Sequence, residues 1–444
     1  MKFSKYVAYP IAIFTLLFHS LLFFSCGKSE EPTVDNKLVT DTSNITGYAI
    51  VETSQTKFYD NENEISEPSH GEDFYGQDAQ FTGNKMQYSL GSDEITVYDH
   101  VTGLTWIRSG DVDDDNDIDI DDKITYSAID DYIEKRNTEI FGGYSDWRLP
   151  TMKELYSLMN FSGTDLMEIE TPFRTPFIDT DYFIFEYGDT DAGDREIDAQ
   201  YYSSDVYTGT IMGNGSGAFG LNLADGRIKC YPIEGVKATK RVMLCRGNTE
   251  YGVNDFSDNG DETITDKATG LMWTKNDFGN GTDTDTRSGM LWKDALAFAQ
   301  TKNEENYLGY SDWRLPDAKE LQSLVDYSRG PDITNSAAID QVFSTTQIIN
   351  ESGVADYPWF WSSTTHVRED GSGSSGVYIT FGRALGYWNN EWTDVHGAGC
   401  QRSDNKAGDL SEYIYVSDGY YFSKAPQGDA IRCYNYVRLV RDVD

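Results

Sequence analysis

The heptamer Tyr-Ser-Asp-Trp-Arg-Leu-Pro stands twice in this chain, at Tyr144–Pro150 and at Tyr310–Pro316. Two unrelated heptamers would agree with odds on the order of one in 20 to the seventh power, so the chain is an internal duplication. The likeness continues on both sides. Thr102-Gly103-Leu104-Thr105-Trp106 matches Thr269-Gly270-Leu271-Met272-Trp273, and Lys153-Glu154-Leu155 matches Lys319-Glu320-Leu321. Tyr202-Ser203-Ser204 answers Trp361-Ser362-Ser363, Gly226-Arg227 answers Gly382-Arg383, and Leu244-Cys245-Arg246 answers Leu439-Val440-Arg441. A repeat this long is the size of a domain rather than of a solenoid unit. Two related domains in tandem are expected, over residues 47–248 and 249–444.

Residues 1–25 read as a targeting segment. Lys2 and Lys5 precede an apolar run from Ile11 to Phe24, which is short for a bilayer span. The run ends at Ser25-Cys26-Gly27, which resembles a bacterial lipoprotein signal cleaved before Cys26, whose thiol would be lipidated. Residues 26–46 form a polar tether opening Gly27-Lys28-Ser29-Glu30-Glu31-Pro32. That acidic start resembles the signal which places Bacteroidetes-type lipoproteins on the outer face of the outer membrane. Contact with the membrane is then through a lipid anchor, with outward display expected.

The formal charge is −38, from 36 basic and 74 acidic residues, which excludes nucleic acid as a partner held by its phosphates. It fits solubility in a salty medium.

Within each copy, turn and β signals come first: Asn259-Gly260 before Thr263-Ile264-Thr265, for example. Tyr126, Ile129, Tyr132 and Ile133, and again Trp292, Ala295, Phe298 and Ala299, fall at helical spacing. A second helix follows each heptamer, opened by a capping box at Thr151/Glu154 and at Asp317/Glu320. Strands are expected at Phe219–Leu223, Val377–Phe381 and Tyr436–Val440. Two helices and a small, loop-rich antiparallel sheet make an α+β domain.

The elements Trp-Arg-Leu-Pro-x-x-Lys-Glu-Leu, Thr-Gly-Leu-x-Trp, Trp/Tyr-Ser-Ser and Arg-Leu-Val-Arg resemble the DUF1566 family, the C-terminal domain of the Legionella collagen-like adhesin. The resemblance runs in two copies from about Gly47 to Asp444. More distantly, Arg148-Leu149-Pro150-Thr151 is similar to an element of formylglycine-generating-enzyme-like domains. That likeness implies two tandem C-type-lectin-like domains; fold alone does not fix function.

Asp111-Val112-Asp113-Asp114-Asp115-Asn116-Asp117-Ile118-Asp119-Ile120-Asp121-Asp122 reads as a twelve-residue calcium loop. Side-chain ligands fall on Asp111, Asp113, Asp115, Asp119 and Asp122, with Asp117 contributing its backbone carbonyl and Ile118 the apolar position. Asn116 replaces the usual Gly, and Asn tolerates the left-handed turn. The closing Asp122 resembles dockerin-type loops. The bland alternative is a solvated acidic loop. In the second copy, Asn276–Gly289 offers no register with a full ligand set.

The 30 Tyr, 22 Phe and 9 Trp invite a sugar-stacking reading, densest at Tyr387-Trp388-Asn389-Asn390-Glu391-Trp392. On one continuous strand, Trp388, Asn390 and Trp392 would share a face; core packing is the competing fate of such rings. The stretch from Gly226 to Cys245 is about 20 residues, whereas Gly382 to Val440 is about 60. A long Gly-rich loop is commonly functional, and this insert carries Asp394, His396 and Arg402 as polar candidates. Cys230, Cys245, Cys400 and Cys433 fall two per copy, either one disulfide each or free buried thiols.

These features point to a non-catalytic surface lipoprotein that binds glycan or another surface polymer. The alternatives are an enzyme related to formylglycine-generating-like oxidases, which use closely spaced cysteines, and a purely structural envelope lipoprotein.

Overall fold

A computed structural model describes residues 47–166, 174–235, 238–281 and 285–443. The expected signal peptide, Cys26 and the expected tether lie outside the described residues. No helix among those described is long and apolar enough to cross a membrane.

The first copy contains β1 (Tyr88–Leu90), β2 (Thr96–Asp99), β3 (Leu104–Ile107), α1 (Ile129–Thr138), α2 (Met152–Ser157), β4 (Gln200–Val206), β5 (Gly217–Asn222), β6 (Arg227–Pro232) and β7 (Cys245–Gly247). The second contains β8 (Phe256–Asp258), β9 (Thr263–Asp266), β10 (Leu271–Thr274), α3 (Trp292–Glu304), α4 (Ala318–Ser323), β11 (Trp359–His366) and β12 (Ser375–Thr380). It continues with the hairpin β13 (Leu385–Trp388) and β14 (Glu391–Asp394), then β15 (Gln401–Asn405). The short pair β16 (Ile414–Tyr415) and β17 (Tyr421–Phe422) precedes the closing β18 (Val440–Asp442). The architecture is mixed α+β and mostly β. Both expected capping boxes form, on Thr151 and on Asp317. The expected strand Tyr436–Val440 shrinks to β18, because Tyr436 and Val437 make single bridges to Phe360 and Phe278 instead.

The copies do not stand apart as two bodies. Residues 45–444 are one compact unit, and one antiparallel sheet crosses both copies in the order β11-β12-β15-β6-β5-β4. The junction is the pair Gln401↔Ile228, between the third strand of each copy's half. The matched strands lie symmetrically about this seam, so the copies are related by a pseudo-two-fold axis. A boundary at 248/249 therefore divides the sequence but not the packing. One face of the sheet carries Phe219, Leu221, Ile228, Val377 and Ile379 into a core shared by both copies. The helices α2 and α4 cover that face and touch each other. A second sheet in each copy, β7-β3-β2-β1 and β8-β9-β10-β18, is closed by the copy's last strand.

The repeated residues build this frame twice. The Ser-Ser element is a bulge: pairing with the neighbouring strand breaks between Tyr202 and Val206 and again between Trp361 and Thr365. There the Ser204 and Ser363 amides donate to the carbonyls of Pro150 and Pro316, both at 2.8 Å. Trp147 Nε1 donates to the Phe141 carbonyl, and Trp313 Nε1 to that of Tyr307, each at 2.9 Å. Asn137 and Asn303 clamp the two tryptophans' backbones. Arg314 holds Glu320 through two 2.8 Å bonds, as Arg148 holds Glu154. Asp146 pairs with Arg246 at 2.6 Å and Asp312 with Arg441 at 2.8 Å. Those arginines lie 4.0 and 4.2 Å over the rings of Tyr144 and Tyr310. Every polar member of the heptamer's Asp-Trp-Arg core is thus spent on the fold.

The segment before β1 straps across the second copy. The Gln55 amide exchanges 2.8 Å bonds with both backbone groups of Thr365. Asp78 accepts from the hydroxyls of Thr53 (2.8 Å) and Thr364 (2.5 Å). Tyr59 packs on Gly373, where a Cβ would stand 2.3 Å from the ring, so this close approach needs glycine.

Candidate functional site

The acidic loop leaves β3 and docks on α1. The carboxylates of Asp111, Asp113 and Asp115 lie within 4.8 Å of one another, and those of Asp117, Asp119 and Asp122 do the same. The six carboxylates fall into two trios, and that of Asp117 belongs to the second. Asp111 accepts from the amides of Asp114 (2.6 Å) and Asn116 (3.0 Å); Asp122 accepts from those of Val112 (2.5 Å) and Asp119 (2.9 Å). The first and last aspartates therefore tie the loop's ends. Asn116 is left-handed at φ 75°, and Ile118 is buried, as the calcium-loop reading requires. Asp114 reaches α1, bonding Lys135 at 2.9 Å and the buried Arg136 at 2.8 Å.

The Asp117 carboxyl is pushed up from its ordinary value by desolvation and then by the charges of Asp115 and Asp119. Asp122 is raised chiefly by burial. Hard oxygen donors at this density suit a hard cation such as calcium, which would relieve their mutual repulsion. Asp111, Asp117 and Asp119 also form part of the wall of a cavity of about 610 Å³, together with Tyr132, Ile184 and Tyr187. Among the described residues no comparable trio occurs in the second copy.

The second copy carries its own addition, two hairpins. Asn389 and Asn390, at φ 52° and 67°, form the two-residue turn between β13 and β14, the left-handed pair that a tight hairpin requires. The chain reverses there, so Tyr387 lies opposite Trp392, and Trp388 opposite Glu391. Directly opposed residues share a face. Trp388 and Trp392 therefore point to opposite faces, which corrects the single-strand expectation. Trp392 and Tyr387 touch at 5.2 Å between ring centroids, Tyr387 and Phe422 at 5.2 Å, and Trp392 and Tyr420 at 6.4 Å. These rings are half-buried, while Tyr415, packed on Tyr421, is 57 % exposed. Trp388 instead lies against Gly213 of the first copy. Asn390 stands exposed at the turn.

Asp394, His396 and Arg402 are interior, not parts of an exposed loop. Asp394 accepts from the Tyr207 hydroxyl (2.7 Å) and the Gly397 amide (2.9 Å), and burial pushes it up to about 7. His396 Nε2 meets Asp429 at 2.8 Å, and burial holds the ring down to about 4. Arg402 pairs with the same Asp429. The expected Gly-rich loop is buried because its second half is β15, a central strand of the sheet. The added residues lie instead on either side, in the hairpins. The second hairpin is not among the sequence expectations; the local run of aromatics Tyr413, Tyr415, Tyr420, Tyr421 and Phe422 is the signal that marks it.

The four cysteines are free and buried, which overturns one bridge per copy. Cys230 sits in the large sheet and Cys245 in the small one, so the first copy's pair is split between elements. Cys400 accepts from the Thr380 hydroxyl at 3.4 Å, and burial pushes its thiol up to about 12. Burial raises Cys433 as well. These thiols pack as small apolar groups.

A duplicated, mostly β frame with one ornament per copy defines the class. A family model for the Lcl C-terminal domain matches residues 95–246 and 262–397, and the chain belongs to that family in two copies. The second match stops just before β15. No curated protein and no solved structure matches the chain.

Proposed function

We propose that this chain is a non-catalytic binding protein, lipid-anchored at Cys26 to the outer membrane and facing the cell exterior. Each copy is read as a C-type-lectin-like domain. Calcium held by the Asp111–Asp122 loop stiffens the first copy, and the hairpins of the second contact a glycan or another surface polymer. The observation that carries this reading is the aromatic patch of Tyr387, Trp392, Tyr420 and Phe422, which continues through β17 to the exposed Tyr415. Half-exposed rings in contact, on elements that the frame does not need, offer the apolar faces on which sugar rings stack. Buried thiols with raised pKa weigh against a cysteine oxidase, since the thiolate is the reactive form.

A glycan array probed with the mature chain, with and without calcium, tests the reading. Retention lost in Trp392→Ala and kept in Trp388→Ala is the expected outcome. Absence of retention on every glycan would favour a structural envelope lipoprotein. For the anchor, Cys26→Ser should leave the protein unlipidated and in the aqueous phase of a detergent separation; unchanged partition would refute it.

A further inference from the structure

The pseudo-two-fold axis relates two grooves that differ in what fills them. The first is a cavity of about 420 Å³ lined by Arg148, Lys153 and Asp205 of the first copy, Asp326 and Asp340 of the second, and residues of the 249–256 linker. In the second, Arg314, Lys319 and Thr364 take the places of Arg148, Lys153 and Asp205, and Asn160 takes that of Asp326. That second groove is filled by the strap. Val51 bridges Asn84, the Thr53 carbonyl accepts from the Phe161 amide at 2.8 Å, and Asp78 caps Thr364.

The two lysines register the difference. Lys319 Nζ donates to the Glu52 carbonyl of the strap at 3.1 Å and to the Ser157 carbonyl at 2.9 Å. Lys153, with no strap to meet, donates to the linker, to the Gly252 carbonyl at 3.1 Å and Asn254 Oδ1 at 2.6 Å.

Charge selects the occupant. Two neutral residues of the filled groove, Thr364 and Asn160, are replaced in the open one by Asp205 and Asp326. Four carboxylates line the cavity (Glu154 with the three aspartates) against two cations, and Arg148 is already held by Glu154. Among the described residues, Asp205, Asp326 and Asp340 have no ion-pair partner. They do not converge closely enough to share one metal ion, a geometry found among the described residues in the two loop trios. A second copy's strap, which would bring Glu52 and Asp78, is repelled.

We propose that the open groove docks an extended basic segment of a partner protein, laid along the 249–256 linker as residues 51–55 lie in the counterpart. Strand addition supplies main-chain bonds, and Asp205 and Asp326 select lysine or arginine side chains. This surface shares no residue with the aromatic hairpins, so the inference stands apart from the glycan reading.

The probes are acetyl-Thr-Lys-Thr-Lys-Thr-Lys-amide and its glutamate counterpart, titrated calorimetrically into the mature chain at physiological salt. The lysine peptide should bind at one site and the glutamate peptide should not. Asp205→Asn and Asp326→Asn should each weaken binding about tenfold, or more. Glu412→Gln, which removes the same charge from an exposed position elsewhere, should leave it unchanged. Ser328→Trp puts bulk into the groove from an exposed lining position without changing charge, and should abolish binding. Melting curves on each variant separate lost binding from lost folding. Equal binding by all variants would mean general attraction to an acidic chain and would overturn the proposal, as would no binding at all. A dimer in sedimentation that Ser328→Trp disperses would give the groove to a second copy instead.

Discussion

The first copy and the second lay the same frame and then depart from it in different places. The first departs between β3 and α1, with a loop of aspartates; the second departs after β12, with two aromatic hairpins. Most of the polar groups the copies share are spent inside the fold: Arg148 and Arg314 on their glutamates, Trp147 and Trp313 on backbone carbonyls, Asp146 and Asp312 on arginines. The repeated Trp106 and Trp273, by contrast, are buried for packing alone, their indole N–H groups without a partner among the described residues. What they do not share retains unused capacity, as crowded carboxylates in one case and half-exposed rings in the other. Internal repetition therefore marks the residues that hold this fold, and divergence between the copies marks those available to ligands.

The sharpest test of a single shared frame is Trp313→Ala. Truncating a fully buried tryptophan should cost about 3–5 kcal/mol. Because one sheet crosses both copies, the loss should move one cooperative transition, seen alike by circular dichroism and tyrosine fluorescence in guanidinium. Two transitions, with one unshifted, would mean that the copies are energetically separate.

The difference between the copies is probed next with calcium. At a concentration a hundredfold above Kd it should stabilise the chain by about 2.7 kcal/mol. Asp113→Ala should remove that gain, and a chelator-treated chain that melts identically with and without calcium would end the loop's assignment. On the hairpins, Trp392→Ala and Trp388→Ala should each cost about 1–2 kcal/mol, less than the core tryptophans because both rings are half-buried. A loss comparable to Trp313→Ala would return Trp392 to the core. The smallest effect concerns the thiols. A disulfide typically contributes about 2–4 kcal/mol, so reductant should leave the melting temperature of this chain unchanged, whereas a clear drop would restore the bridges.

Much of the frame could be read from local chemistry. The capping boxes at Thr151 and Asp317, the helix at Trp292 and the strand around Phe219 are set by neighbours within a few residues, and they form. The left-handed Asn116 and buried Ile118 follow from the same kind of local rule. Strand alternation puts Trp388 and Trp392 on one face, whereas a two-residue Asn-Asn turn governs that stretch and separates them. The Gly-rich context of Asp394, His396 and Arg402 resembles a surface loop, while the partners that bury them, Tyr207 and Asp429, are remote in sequence. The seam between β6 and β15 and the strap's path over the second copy depend on pairings that no local pattern announces.

The seam at Gln401↔Ile228 has a consequence for relatives with a single repeat. In this chain the inner edge of each three-stranded half is covered by the other half. A lone copy would leave that edge bare, with unpaired amides and carbonyls open to any passing strand. Such a relative must shield it in some other way, and the two-fold relation seen here within one chain offers a direct one, association with a second molecule of itself. Duplication and fusion would then have turned an intermolecular joint into an intramolecular one. That step frees the two halves to diverge, because an ornament gained by one need no longer appear on both.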